Sequence, residues 1–219
     1  MKKKNKKMLV LGVSLFTTFV LWTILVSFVN VQAIGPRESS VGFANLNGYI
    51  HNLIGVNMFL YTITDWLGLV PISLTLVFTI LGLVQLIKRK SLWRVDYNIL
   101  ILGAFYFVVI LIYILFEIIV INYRPTLING ELEASYPSST TMLVMCVMTT
   151  SAIELKVCVK NTLIRWCIII LLIAFTAFMV ATRLLSGVHW ITDIIGSILL
   201  STSLVIMYYS IRNILTKKC

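Results

Sequence analysis

His189 and Asp193 stand four residues apart, with Arg183 six residues upstream of the histidine. On a helix, residues at that spacing share one face. The carboxylate can hold one imidazole nitrogen protonated and leave the other free as a nucleophile. Arg183 and a second arginine, Arg124, offer planar, permanently charged forks that match phosphate oxygens. Pro137-Ser138-Ser139-Thr140 reads as a helix start, whose N–H groups with Ser138 and Ser139 make a second anion cradle. Gly187 would let the backbone turn closely beneath a phosphate. Together these pieces describe a phosphate site served by a histidine nucleophile.

The elements that must position them are membrane helices. Of 219 residues, 59% are hydrophobic and 12% charged, against about 45–50% and 25% in soluble domains. With a mean hydropathy of +0.99, this excludes a disordered chain and an ordinary soluble enzyme. Six apolar stretches, at 8–31, 66–87, 97–121, 138–155, 166–182 and 190–211, approach or reach the length of a crossing, for which about 20 residues suffice. The first follows five lysines and imitates a secretory leader, with Val31-Gln32-Ala33 like a cleavage site. Its apolar run exceeds the roughly 7–15 residues of such leaders, so an uncleaved anchor is expected.

Six crossings put both termini on one side. Fifteen of the eighteen Lys and Arg then fall on that face: five at the N-terminus, four at 88–94, three at 156–165 and three at the C-terminal end. The positive-inside rule makes this face cytoplasmic. The +10 charge is thus a topology signal, and nucleic acid is not an expected partner. Arg37, Arg124 and Arg183 remain outside. The expected architecture is all-α, a single integral membrane domain over 1–219 with an outer interfacial segment at 32–65.

Within that segment Phe43, Leu46, Ile50, Leu53 and Asn57 recur at steps of three and four. This pattern predicts an amphipathic helix lying in the outer interface, with Asn45, His51 and Asn52 facing elsewhere. His51 is expected to be a surface histidine, and Asp65 to cap the second crossing. Pro125, Asn129 and Gly130 make 122–137 a loop. Met142, Met145 and Met148 read as packing. Cys146, Cys158, Cys167 and Cys219 have no metal-ligand spacing and fall in crossings or on the reducing side, so no disulfide is expected.

Thr182-Arg183, His189 and Asp193 resemble the third signature of the type 2 phosphatidic acid phosphatases: Ser-Arg, five residues, His, three residues, Asp. Arg124-Pro125 resembles the end of the first signature, and Pro137-Ser138-Ser139-Thr140 stands where Pro-Ser-Gly-His belongs. The resemblance implies an all-helical membrane fold and a phosphatase or phosphotransferase for lipid phosphates, needing no metal or other cofactor. It implies a phosphohistidine on His189, oriented by Asp193, with Arg124, Arg183 and the backbone around Ser138 and Ser139 on the phosphate. Two positions depart from the pattern. The signature lysine seven residues before Arg124 is Glu117, a carboxylate that would repel phosphate unless paired or protonated. The histidine that protonates the leaving group in the family is Thr140, whose hydroxyl is no proton donor near neutral pH.

Two functions follow. One is hydrolysis or transfer of phosphate from a lipid phosphate or polyprenyl pyrophosphate at the outer face of a plasma membrane, bacterial by the short chain and compact loops. The other is a degenerate relative that binds lipid phosphates or a membrane partner without turnover.

Overall fold

The computed structural model describes residues 2–216, apart from the side chains of Lys2, Val157 and Cys158; Cys219 lies outside the described residues. Eight α-helices carry the fold among them: α1 (Lys2–Phe28), α2 (Ala44–Ile54), α3 (Met58–Leu67), α4 (Leu69–Arg89), α5 (Tyr97–Ile118), α6 (Ser139–Cys158), α7 (Thr162–Leu185) and α8 (Ile191–Leu215). Among the described residues, five helical stretches are long and apolar enough to cross a membrane: Lys3–Phe28, Met58–Arg89, Tyr97–Ile118, Thr162–Leu185 and Ile191–Leu215.

The helix expected as the fourth crossing, α6, forms but is not among those five. It carries Thr140, Thr141, Thr149, Thr150, Ser151 and Glu154, and it packs against α4, α5, α7 and α8. Thr141, Thr150, Ser151 and Glu154 are buried inside this wrapping. Thr150 donates to the Cys146 carbonyl at 2.7 Å and pairs with the Tyr106 hydroxyl at 3.1 Å. The outer helices reverse the pattern of a soluble protein, with large apolar side chains such as Leu21, Ile80, Leu111 and Ile170 exposed. A helix surrounded by others can be polar, whereas one bathed in lipid cannot.

Helix α8 is the second pillar. It lies along α1, touches α6 and α7, and meets α2 at its start. Ser210 donates to the Asn5 carbonyl at one end and Trp22 Nε1 to the Thr192 carbonyl at the other, so α1 and α8 run antiparallel. The buried face of α8 is built from small residues, Gly196, Ser197, Ser201 and Ser203, which let neighbouring backbones come close. At Gly196 an added Cβ would lie 2.7 Å from the Tyr136 ring, so the tyrosine is seated flat on the helix. Cys146 is buried and Cys167 exposed, both as free thiols.

The outer segment differs from expectation in three respects. First, His51, expected at the surface, is turned inward on α2 together with Asn47. Asn47 donates to Thr192 Oγ1 at 3.0 Å and accepts from the Thr192 N–H at 3.3 Å, supplying the start of α8 with partners that leucine could not. His51 is correspondingly half-buried, its ring 5.3 Å from that of Trp190, and burial lowers its pKa. Second, the second crossing begins earlier, because α3 and α4 join at Gly68 into one stretch of 32 residues. At about 1.5 Å per residue this spans roughly 48 Å, more than the hydrocarbon core, so the stretch must tilt, bend or project beyond it. Third, Asp65 is not the cap: Asn57 Oδ1 accepts from the Leu60 N–H at 3.1 Å and starts α3.

The 122–137 loop is an ordered hairpin. Asn129 and Gly130 both have positive φ, +50° and +81°, the combination of a type I′ turn. Beyond it the Arg124 N–H bonds the Glu133 carbonyl at 3.0 Å, and the Ser135 N–H the Asn122 carbonyl at 2.9 Å. Arg37, one of the three arginines expected outside, donates to the Gly130 carbonyl at 2.9 Å and holds the tip.

Candidate active site

The start of α8 delivers the acid. Asp193 is the third residue of that helix, and its Oδ2 accepts from the Trp190 N–H at 2.9 Å. This reach-back bond satisfies an otherwise orphaned donor and fixes the carboxylate. Its other oxygen, Oδ1, accepts from Asn122 Nδ2 at 3.3 Å and lies 3.5 Å from Thr192 Oγ1. Asp193 is fully buried and His189 is 3% exposed.

His189 precedes the helix, and its Nδ1 is 3.8 Å from Asp193 Oδ2, beyond hydrogen-bond reach. Between them lies Ser135. Its hydroxyl is 3.0 Å from His189 Nδ1 and donates to Asp193 Oδ2 at 2.5 Å. The opposite ring nitrogen, Nε2, is buried with no partner. Burial drives the histidine pKa well below its usual value, with Arg124 and Arg183 adding to the effect. The ring is therefore neutral at neutral pH, with an unoccupied nitrogen.

Arg183, in the last turn of α7, is 1% exposed. Its Nη1 donates to Thr64 Oγ1 at 3.1 Å, and its guanidinium carbon lies 4.8 Å from the centre of the Tyr61 ring. Arg124 approaches the same ring at 5.8 Å. One aromatic ring on α3 thus lies against both cations. Arg124 Nε lies 3.2 Å from Glu133 Oε2 as an ion pair, but in a direction that forms no hydrogen bond. Arg124 Nε and Nη1 and Arg183 Nε are all buried without acceptors. Buried charge-bearing donors are costly to leave unpaired, and an anion at this cluster could satisfy them.

The remaining expected residues are placed differently. Ser138 opens α6 and is fully buried; its hydroxyl donates to Thr141 Oγ1 at 3.1 Å, and its carbonyl accepts from Ser197 at 3.0 Å. It ties α6 to α8. Ser139 lines the small cavity that also holds His189, Glu117 and Tyr113. Thr140 does not: it lines an adjoining groove with Asp65, Leu69, Ile72, Val109 and Ile110. Gly187 has φ +67°, but its N–H bonds the Leu184 carbonyl at 3.1 Å. A Cβ there would fall 1.9 Å from the Gly55 carbonyl oxygen. The close approach expected beneath a phosphate is instead to the turn between α2 and α3, where the Asn57 N–H also bonds the Ser186 carbonyl at 2.9 Å.

Ser135, Asn122, Tyr61 and Thr64 are site residues that sequence reasoning missed. Asn122 and Ser135 flank the turn-forming Asn129-Gly130, which was the available signal. Nothing local marks Tyr61 or Thr64, which reach the site from a helix more than a hundred residues away in sequence from Arg183.

A bundle of apolar helices enclosing a polar, cationic, histidine-bearing cluster at one end marks a multi-pass membrane protein. A family model described as the PAP2 superfamily matches residues 102–217, and the chain belongs to that family. No curated protein matches it in sequence. Among solved structures it is similar to one titled as the first transmembrane PAP2 type phosphatidylglycerolphosphate phosphatase from Bacillus subtilis. The two are 18% identical with a TM-score of 0.60, over 94% of this chain and 96% of that one, a likeness of fold.

Proposed function

We propose that the protein is a phosphatase for a lipid phosphate or polyprenyl pyrophosphate, working at the outer membrane face through a phosphohistidine. The observation that carries this reading is the pairing of an unpartnered His189 Nε2 with unpartnered guanidinium nitrogens of Arg124 and Arg183. Membership of the PAP2 superfamily and the fold shared with a phosphatidylglycerolphosphate phosphatase support it. The charge split puts both termini in the cytoplasm across six crossings, α6 included, and the site outside.

In the first step the Nε2 lone pair attacks phosphorus and the bond to the leaving oxygen breaks, the oxygen keeping the pair. Nδ1 retains its proton, so the imidazole becomes cationic, and buried Asp193 balances that charge. Arg124 and Arg183 hold the phosphoryl oxygens, whose charge they neutralise throughout. In the second step water adds to phosphorus and the N–P pair returns to Nε2. Inorganic phosphate leaves with the water oxygen and one proton, the other passing to solvent.

The residues at 117 and 140 bear on substrate. General acid catalysis is typically worth about 10²–10⁴ in rate, most for a poor leaving group. A monoester must expel an alkoxide, whereas a pyrophosphate expels an already stable phosphate anion. With Thr140 on the adjoining groove and no imidazole there, pyrophosphates are the preferred class. The apolar groove beside the site, lined by Leu69, Ile72, Val109 and Ile110, suits the lipid chain. Glu117 shares a cavity with His189 and modulates the site by repulsion.

Phosphate release from a panel of lipid phosphates and pyrophosphates in detergent, with His189→Ala as control, tests this. Thr140→His should raise monoester hydrolysis far more than pyrophosphate hydrolysis. Equal background from parent and His189→Ala would favour a lipid-phosphate binding protein without turnover.

A further inference from the structure

We infer that Ser135 is the positioning residue that joins Asp193 to His189, so that the acid acts on the nucleophile through a serine hydroxyl rather than by direct contact. This rests on the reading of His189 as the nucleophile.

Three distances carry the argument. The Nδ1-to-Oδ2 separation of 3.8 Å is too long for a hydrogen bond, while Ser135 Oγ makes 3.0 Å to the first atom and 2.5 Å to the second. A serine hydroxyl has one proton and two lone pairs. That proton points to the carboxylate, the stronger acceptor. Toward Nδ1 the oxygen can then only accept, so Nδ1 must carry the ring proton. With Asp193 ionised, the tautomer follows: Nδ1–H donates to Ser135 Oγ, Ser135 Oγ–H donates to Asp193 Oδ2, and Nε2 keeps its lone pair.

Nothing lets the carboxylate close the gap cheaply. Oδ2 also accepts from the Trp190 N–H, and Oδ1 from Asn122. A swing toward His189 would abandon the first-turn bond of α8 and leave the Asn122 amide without its carboxylate. Ser135 is held as firmly. It is 2% exposed, and its N–H bonds the Asn122 carbonyl at 2.9 Å. Its neighbour Tyr136 is clamped between Gly196 and the Thr23 hydroxyl, 2.7 Å from its own. When Nε2 is phosphorylated the positive imidazole strengthens both bonds in line, and no proton need leave the chain of three groups.

Two measurements test the bridge. The first needs no turnover. The protein has two histidines, so ¹⁵N-imidazole spectra in detergent, with His189→Ala identifying the signals, report the His189 tautomer. The parent should show Nδ1–H, and Ser135→Ala should lose that preference while Ser135→Thr keeps it. An Nε2–H tautomer in the parent, or one unchanged in Ser135→Ala, overturns the proposal.

The second is a double-mutant cycle on phosphate release. Ser135→Ala should lower kcat about 10–100-fold with KM little changed, and Ser135→Thr should recover most of it. In an Asp193→Asn background the same Ser135→Ala change should cost less than about twofold, because residues acting as one unit are not additive. Full additivity, or a Ser135→Ala enzyme within twofold of the parent, contradicts the bridge. If the parent has the expected tautomer and releases no phosphate, the phosphatase reading fails and the bridge stands.

Discussion

Buried charge stands at both ends of α8, inner and outer in the proposed topology, and the two clusters are of opposite kinds. At the inner end Arg212 forks onto Glu154, with Nε to Oε1 at 2.6 Å and Nη2 to Oε2 at 3.1 Å. Tyr208 adds its hydroxyl to Oε1 at 2.7 Å, and Arg212 Nη1 lies 3.4 Å from Asn213 Oδ1. None of these side-chain atoms is left without a partner. At the outer end Arg124, Arg183 and His189 are as deeply buried, yet four of their nitrogens have none. The inner cluster is saturated and has no capacity left for a ligand. The outer one holds cations together against their mutual repulsion and leaves their donors open. Buried charge by itself therefore says little about function; what separates a structural pin from a site is which hydrogen bonds remain unmade.

That contrast can be broken from either side. Truncating the inner acid should have the largest effect on stability. Glu154→Ala strands Arg212 in the interior and should cost about 3–5 kcal/mol, read as a lower unfolding midpoint in detergent. Phosphate release per folded molecule should be unchanged. At the outer end the pattern inverts. Arg183→Lys retains the charge and loses the fork, and should weaken vanadate binding about 10–100-fold with the unfolding midpoint within a degree or two of the parent. Vanadate binding indistinguishable from the parent would make Arg183 a membrane-interface anchor.

The acid limb of the pH profile comes next. Neutral His189 is the nucleophile, and burial together with the two arginines lowers its pKa. Protonation therefore begins well below the ordinary imidazole value near 6.5, and kcat/KM should persist through pH 6. Bound phosphate offsets the arginine charge, so the limb in kcat, which reports the complex, should lie at higher pH than that in kcat/KM. A His189 titration midpoint at or above pH 6.5, followed by its ¹⁵N shifts in the free protein, would contradict the burial argument. The smallest effects are expected from Tyr208→Phe, about 0.5–1.5 kcal/mol of stability for one hydrogen bond, and from Glu117→Gln. The latter should leave pyrophosphate turnover intact or raise it severalfold by removing repulsion; abolished turnover would make Glu117 the acid.

The comparison also explains what could be read from the chain alone. Helices α1, α5 and α7 are legible because their apolar runs face outward from the bundle, where composition is imposed along the whole length, and α8 is legible by the length of its apolar run although more than half of it is buried. Helix α6 was placed by its length and its Pro-Ser start, although its hydroxyl groups answer to neighbouring helices rather than to solvent. The inward face of α2 was not legible, since Asn47 and His51 answer to Thr192 and Trp190 in tertiary structure. Within the site, the spacing of Arg183, His189 and Asp193 is local and could be read directly. Ser135 could not. Counting outward from Asn129-Gly130 pairs it with Arg124, whereas the structure pairs it with Asn122, because the strand bulges by two residues around Pro125 and Thr126. Proline cannot donate to the ladder, and such breaks shift register.

The central claim is that the open outer cluster receives a phosphoryl group on His189. Rapid quenching of turnover with a substrate labelled in the transferred phosphate tests it most directly. The account predicts an acid-labile, alkali-stable label on a peptide containing His189, formed faster than phosphate is released and absent from His189→Ala. Phosphate release by His189→Ala at the parental rate, with no label on the parent protein during turnover, would contradict it.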